Sequence, residues 1–288
     1  SLSLRQSAGL SVVAVSLLLP LAIVVLALVP WFGAERPRAL LTVYSVGAGQ
    51  AATLVTTHHA VALDLGNAQP GTQGRIAREL QPDLIRHGIR DLDLVLLSHG
   101  DADHSAGLDG FAARFGIDQL VSGEPDRVSG AGGCYRGQRW QFDGVALRVL
   151  WGGPPGTKNS ASCALELSGD FGRVWILGDL PARDQWALAR HEGTPALTGL
   201  VAAHHGAADG FSIGLAQRQR PDWVVFSQAR LGRWAHPAPE VEAAWRALGA
   251  QTYRTGSRGS LRIPLEAGSA VETPARESPW ALGYWTSG

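Results

Sequence analysis

The chain is 288 residues long, which allows one or two domains of about 100–200 residues each, and 45% of it is hydrophobic. Twenty-five Lys and Arg balance 25 Asp and Glu, and the charged fraction of 17% lies below the roughly 25% of soluble domains, which excludes a disordered polyampholyte. The neutral balance gives no basic footprint of a nucleic-acid binder, and two cysteines make at most one bridge.

No Met is present, so the chain is expected to be a piece of a longer protein or a trimmed mature form. After a short flank (1–8), residues 9–32 are expected to form a transmembrane helix. No charge lies between Arg5 and Glu35, and residues 10–29 are nearly continuous Leu, Val, Ala and Ile. At about 1.5 Å per residue this run covers about 30 Å, the thickness of a bilayer core. Trp31 and Phe32 follow as interfacial aromatics, and Pro20 is expected to kink the helix. The run is too long for a signal-peptide core, and no small-residue cleavage site follows Val29. The flanking charges leave the orientation open.

Residues 38–266 read as an α/β (α+β) domain. Apolar, β-branched runs predict strands near 41–46, 53–57, 61–65, 92–97, 145–150, 164–167, 173–177, 200–203 and 223–227. Helices are predicted near 74–87, 106–115, 181–191 and 239–248, the last with Pro239 and Glu240 suited to a first turn. The Pro-, Ser-, Gly- and Trp-rich piece 267–288 is expected to be a loosely ordered tail.

Three of the strands run into unusual residues. The 92–97 strand leads into His99, Asp101, Asp103 and His104, the 173–177 strand into Asp179, and the 200–203 strand into His204 and His205. Charged or imidazole groups directly after a buried strand are costly unless something pairs with them. Within six positions the first loop offers two imidazoles and two carboxylates, four metal ligands on one turn, and the two later strand ends can supply more.

The segment Leu97-Ser98-His99-Gly100-Asp101-Ala102-Asp103-His104 resembles the H-x-H-x-D-H signature of the metallo-β-lactamase superfamily, with Asp101 in place of the second His. With Gly178-Asp179 and Ala203-His204-His205-Gly206, it is similar to the extracytoplasmic nuclease-like domain of the ComEC family of DNA-uptake channels. Val43 to Gln50, Ala62 to Gly66, Asn159 to Cys163 and His236-Pro237 resemble further segments of that family, and the likeness spans about residues 40–265. Ser45, Ala48 and Ala207 depart from its pattern.

The resemblance implies an αββα metallo-β-lactamase-like sandwich preceded by one transmembrane helix. It also implies a membrane-tethered nuclease, a DNA phosphodiesterase that degrades one strand during uptake. Two divalent ions are implied, with His99, Asp101 and Asp179 holding one, Asp103, His104 and His204 the other, and Asp179 bridging. The carboxylate-rich, thiolate-free set favours manganese, with zinc or magnesium as alternatives. His205 either meets substrate phosphate or replaces His204 as ligand. Asp103, Asp179, His205 and His236 are the candidate catalytic groups. Asp64 is expected to orient a ligand, and Asn159 and Ser160 either meet the phosphate or form a plain turn. The implied partners are DNA, the membrane and the remainder of the channel polypeptide, with the domain on the outer, periplasmic face of the inner membrane. A different hydrolase on the same fold (a lactonase, a β-lactamase or a small-substrate phosphodiesterase) and a non-catalytic DNA-guiding domain are the rival readings.

Two local features bear on this. Residues 218–262 carry eight Arg against three acids, either a phosphate-guiding stripe or a solvated face. Cys134 and Cys163 flank Asn159 and either form a bridge or remain two buried thiols.

Overall fold

The computed structural model describes residues 36–66, 74–154, 157–192, 196–230 and 235–273. The expected membrane helix, 9–32, lies outside these residues; among the described ones no helix is long and apolar enough to cross a membrane.

Sixteen strands and seven α-helices alternate along the described chain. They are β1 (Ala39–Val43), β2 (Ala51–Thr56), β3 (Ala60–Leu65), α1 (Arg75–Arg86), β4 (Asp91–Leu92), β5 (Leu94–Leu97), α2 (Ala102–Ser105), α3 (Leu108–Ala112), β6 (Gly116–Ile117), β7 (Leu120–Ser122), β8 (Gly132–Gly133), β9 (Arg139–Phe142), β10 (Val145–Trp151), β11 (Ala164–Gly169), β12 (Gly172–Ile176), α4 (Ala182–His191), β13 (Gly199–Val201), α5 (Ile213–Gln219), β14 (Trp223–Phe226), α6 (Pro239–Ala247), β15 (Gln251–Arg254), α7 (Thr255–Arg258) and β16 (Leu261–Pro264). Two seven-stranded sheets form, in the orders β16-β1-β2-β3-β5-β7-β8 and β15-β14-β13-β12-β11-β10-β9. In the first, β3, β5, β7 and β8 run parallel; in the second, β12 to β15 do.

Three apolar layers explain the stacking. Between the sheets, Leu41, Leu54, Leu63 and Leu96 meet Leu147, Leu165, Val174 and Val225. On the outer face of the first sheet, Ile76, Leu80 and Leu84 of α1, spaced by four, cover Leu65, Val95 and Leu97. On the outer face of the second, Leu188 of α4, Leu215 of α5 and Trp245 of α6 cover Trp175, Leu200 and Val224. A fully buried Leu contributes about 1.5–3 kcal/mol relative to an exposed one, so helices too short to persist alone are held by these faces. The result is the αββα sandwich expected from the sequence.

The structure bears on three expectations. The helix expected near 106–115 is the shorter α3 (Leu108–Ala112), parted from the preceding α2 at Gly107, which packs on the backbone of β3; a Cβ there would lie 2.2 Å from the Leu65 carbonyl oxygen. Of the expected tail, 267–288, only residues 267–273 are described, and there the Glu272 and Arg262 backbones exchange hydrogen bonds at 2.7 and 2.9 Å. The arginine stripe is partly structural, since Arg246 and Arg254 bind Glu242, and Arg262 binds Asp83. Cys134 and Cys163 form a disulfide with Cα atoms 6.0 Å apart, joining the segment after β8 to the start of β11.

Candidate metal centre

Parallel strands deliver their following loops to one edge of the sandwich, where loops commonly carry functional groups. From β5 come Ser98, His99 and the α2 residues Asp103 and His104; from β12 comes Asp179; from β13 come His204 and His205. The loops of the two sheets touch at Gly178, whose φ of +54° and lack of a side chain are both needed: a Cβ would lie 2.6 Å from that of Ser98. The backbone N–H of Asp179 donates to Ser162 Oγ (3.1 Å), and that of Cys163 to the Ser98 carbonyl (2.8 Å), which ties the same two loops.

Asp179 is buried and faces both ways. Its Oδ1 lies 3.0 Å from His104 Nε2 and 3.8 Å from His205 Nε2. Its Oδ2 lies 3.9 Å from His99 Nε2 and 3.7 Å from His204 Nε2. Asp103 Oδ2 stands 3.4 Å from His205 Nε2, and Asp101 Oδ2 stands 3.6 Å from His99 Nε2. Asp179 thus presents one oxygen to each of two groups of donors.

Each imidazole is anchored through its other nitrogen. His104 Nδ1 pairs with Asp64 Oδ2 (2.8 Å), His205 Nδ1 donates to the Ser227 carbonyl (2.8 Å), His204 Nδ1 pairs with Asp209 Oδ1 (2.9 Å), and His99 Nδ1 meets Ser98 Oγ (3.0 Å). An outer partner of this kind fixes ring orientation and the tautomer a metal ligand needs. All four rings thus turn Nε2 toward Asp179.

The donor atoms fit a divalent ion. His99 Nε2 and His205 Nε2 are buried and make no hydrogen bond, a costly arrangement unless another group satisfies them, while His104 Nε2 and Asp179 Oδ1 have one another at 3.0 Å. Asp103, His104, Asp179 and His205 each offer an atom within 4.8 Å of the others. Nitrogen and oxygen donors without sulfur suit imidazole- and carboxylate-binding metals.

The electrostatics are those of imidazoles gathered around one buried carboxylate. Burial pushes His99 below the usual imidazole range, helped by the neighbouring His104 charge. His104 goes the other way: burial opposes its charge, but the Asp179 and Asp64 carboxylates flank it and hold it well above that range. Burial alone would raise Asp179, yet His104, His205 and His99 keep it ionised far below the usual carboxylate range.

His205 stands nearer Asp103, at 3.4 Å, and faces the same Asp179 oxygen as His104; His204 faces the opposite oxygen of Asp179. Both residues have left-handed backbones (φ +50° and +55°), so strand alternation does not carry through them. His236 stands behind the pair, its ring centre 6.1 Å from that of His204 and 6.4 Å from that of His205. Burial, then the charges of His205 and His204, lower it from the usual imidazole range. Asp64 lies beneath the site, accepting from Ser98 N–H (2.6 Å), Gln50 Nε2 (2.8 Å) and His104.

Ser160 does not face the centre. Its hydroxyl donates to Asp184 (2.6 Å) and accepts from Arg183 (3.1 Å) within the turn 158–161, which is the plain-turn alternative. Asn159 lies in the same helical turn, 158–161, and its carbonyl accepts from Ser162 N–H. Ser162 is the residue of that segment that touches Asp179.

Several functional neighbours were not singled out from the sequence. Ser98 carried a signal, sitting inside the motif itself. Asp209, Ser227 and Arg127 carried none, because each reaches the site from another loop. Trp140 and Trp151 pack against the apolar layers and donate to Gln119 and to the Ser160 carbonyl; Trp234 lies outside the described residues.

Comparison with known proteins follows the same lines. The chain is 29% identical over 261 residues to competence protein ComA of Neisseria gonorrhoeae, covering 84% of this chain and 36% of that one. It is 27% identical over 240 residues to YcaI, an uncharacterised protein of Escherichia coli K12, covering 81% and 31%. It thus spans about a third of the length of these relatives. Among solved structures, CmlA of Streptomyces venezuelae, a diiron β-hydroxylase, superposes with a TM-score of 0.54 at 13% identity, over 79% of this chain and 54% of that one. YhfI of Bacillus subtilis, a metallo-β-lactamase fold protein, gives 0.51 at 12%, over 75% and 96%. Residues 70–228, more than half of the chain, match the Metallo-beta-lactamase superfamily, and the chain belongs to it.

Proposed function

We propose that the chain is a metal-dependent phosphodiesterase acting on DNA, the outer-face hydrolase module of a membrane DNA-uptake channel in which one strand is degraded. The observation that carries the metal-dependent reading is the convergence of four anchored imidazoles on the two oxygens of Asp179. The kinship with competence protein ComA supports DNA as substrate and a channel as setting. The Cys134–Cys163 bridge agrees with an oxidising compartment, and the apolar run of residues 9–32 with a membrane tether.

In this reading His99, Asp101, His204 and Asp179 would hold one ion, and Asp103, His104, His205 and Asp179 the other. Two divalent ions, manganese by preference, supply Lewis acidity that makes water acidic at neutral pH and neutralises charge on phosphoryl oxygens. The protein contributes placement. Asp179 spaces the half-sites, Asp64 and Ser98 hold His104 and His99 in register, and Gly178 lets the two loops close. His236, kept neutral near pH 7, is placed to take or return a proton at the rim.

The test uses the 288-residue chain in mild detergent, with Mn²⁺, Mg²⁺ or Zn²⁺ in turn, offered single-stranded DNA, duplex DNA, a simple phosphodiester, a β-lactam and a lactone. Metal-dependent DNA cleavage that disappears in Asp179→Ala and Asp103→Ala is expected. Lactam or lactone turnover with inert DNA assigns a different hydrolase, and tight DNA binding without cleavage under every metal assigns a guiding domain.

A further inference from the structure

We propose that Arg127 sets the metal occupancy of the half-site at Asp179 Oδ2, keeping it the weaker of the two. The inference rests on the metal-centre reading above and concerns how its halves differ.

The two halves are built from similar donors but stand in different surroundings. Asp103 meets an imidazole, His205. Asp101, its counterpart, is bound by a guanidinium: Arg127 Nη2 lies 2.8 Å from Asp101 Oδ1. The other end of the fork, Nη1, lies 2.6 Å from Glu124 Oε2. Glu124 is 1% exposed, and its Oε2 also accepts from the backbone N–H of Gly100 (3.0 Å), inside the ligand-bearing loop. Arg127 is packed as well as paired, since a Cβ on Gly100 would lie 2.8 Å from the Arg127 Cβ. A buried carboxylate, a backbone donor and close packing therefore fix this cation beside the half-site.

Two consequences follow from charge and geometry. Arg127 occupies Asp101 Oδ1, so Asp101 turns only Oδ2 toward His99. The guanidinium is shared between Asp101 and Glu124, so the three groups carry one net negative charge, and Asp101 is held toward Arg127 through the oxygen that does not face His99. A dication entering beside His99 gains less from Asp101 than one entering beside His104 gains from Asp103, because Arg127 already binds Asp101 through Oδ1 whereas Asp103 has only the His205 imidazole as partner. The cluster of four ligand atoms within 4.8 Å forms at Asp103, His104, Asp179 and His205, the half that Arg127 does not touch.

The experiment is calorimetric titration of the metal-stripped 288-residue chain with Mn²⁺. Wild type is expected to show a tight phase and a second phase at least tenfold weaker. Arg127→Gln should tighten the weak phase at least tenfold and leave the tight one in place. Arg127→Lys, which keeps the charge, should resemble wild type, and Asp101→Asn should lose the weak phase alone. If Arg127→Gln fails to fold because Glu124 is left buried and unpaired, the double variant Arg127→Gln/Glu124→Gln removes both charges and carries the same expectation. Two equal phases in wild type, or a weak phase that no Arg127 variant moves, overturn the proposal. A raised KM for a phosphodiester with unchanged Mn²⁺ affinity also overturns it, assigning Arg127 to substrate. Absence of any binding in wild type instead removes the metal centre itself, and this proposal with it.

Discussion

Asp64 Oδ2 lies 2.8 Å from His104 Nδ1, and both side chains are buried beneath the point where the two sheets' loops meet. The carboxylate does two jobs from one position: its other oxygen accepts from Ser98 N–H, so the ligand-bearing loop and one of its rings are set together.

Asp64→Asn keeps the shape but replaces an acceptor with a group able to donate to His104 Nδ1. The ring then carries its proton on Nε2, where a metal must bind. Mn²⁺ affinity should fall about 10–100-fold, the usual cost of losing such an outer partner, with a near-native circular dichroism spectrum. Unchanged affinity in a titration would show that the pair orients nothing of consequence.

Gly178→Ala tests the contact between the sheets' loops. Its φ of +54° disfavours any Cβ, and the added carbon would meet Ser98 at 2.6 Å. The combined cost is about 2–4 kcal/mol, read as a lower urea midpoint. A midpoint equal to wild type would mean the loops close without strain.

The Cys134–Cys163 bridge closes a loop with a sequence separation of 29. Loop-closure entropy assigns it about 3–4 kcal/mol, so urea unfolding with and without reductant should differ by that much. Unreduced, denatured protein should contain no reactive thiol.

Glu242 gives a pH dependence away from the metal centre. Burial raises its carboxyl, but hydrogen bonds from Arg254 and Thr252 and the charges of Arg254 and Arg246 outweigh it, so the folded value lies below the ordinary one. A depressed carboxylate stabilises the fold above its unfolded value, about 4.3, and that contribution is lost as pH falls through the lower folded value. Glu242→Gln should therefore cost about 1–3 kcal/mol at pH 7, and the gap to wild type should narrow below about pH 4. A gap that stays constant from pH 7 to pH 3 contradicts this.

How much of this was legible in the sequence depends on the distance over which each feature is encoded. β5, β12 and β13 announced themselves because an apolar run ending in His or Asp is expensive by itself, which is a local signal. The edge strands β15 and β16 did not, because most of their residues are only partly buried and Gln251, Arg254, Arg262 and Pro264 dilute the β-pattern. The split of α2 from α3 depends on Leu65, about 40 residues away, as seen only by Gly107. The facing of His204 and His205 to opposite oxygens of Asp179 followed from two left-handed residues in succession, which no periodicity describes. The two readings of Ser160 stayed open because a hydroxyl near a ligand segment reads the same whether it faces a phosphate or Asp184. Arg127 and Asp209 belong to loops whose approach is fixed only once the sheets have stacked.

The central claim is that Asp179 is the carboxylate on which both half-sites depend. The most direct measurement is the manganese content of the chain after loading and gel filtration, for wild type and for Asp179→Asn, with thermal melting recorded for both. The expected result is at least one retained ion per chain in wild type and almost none in the variant, with similar melting. A folded Asp179→Asn protein that keeps as much manganese as wild type would contradict the account.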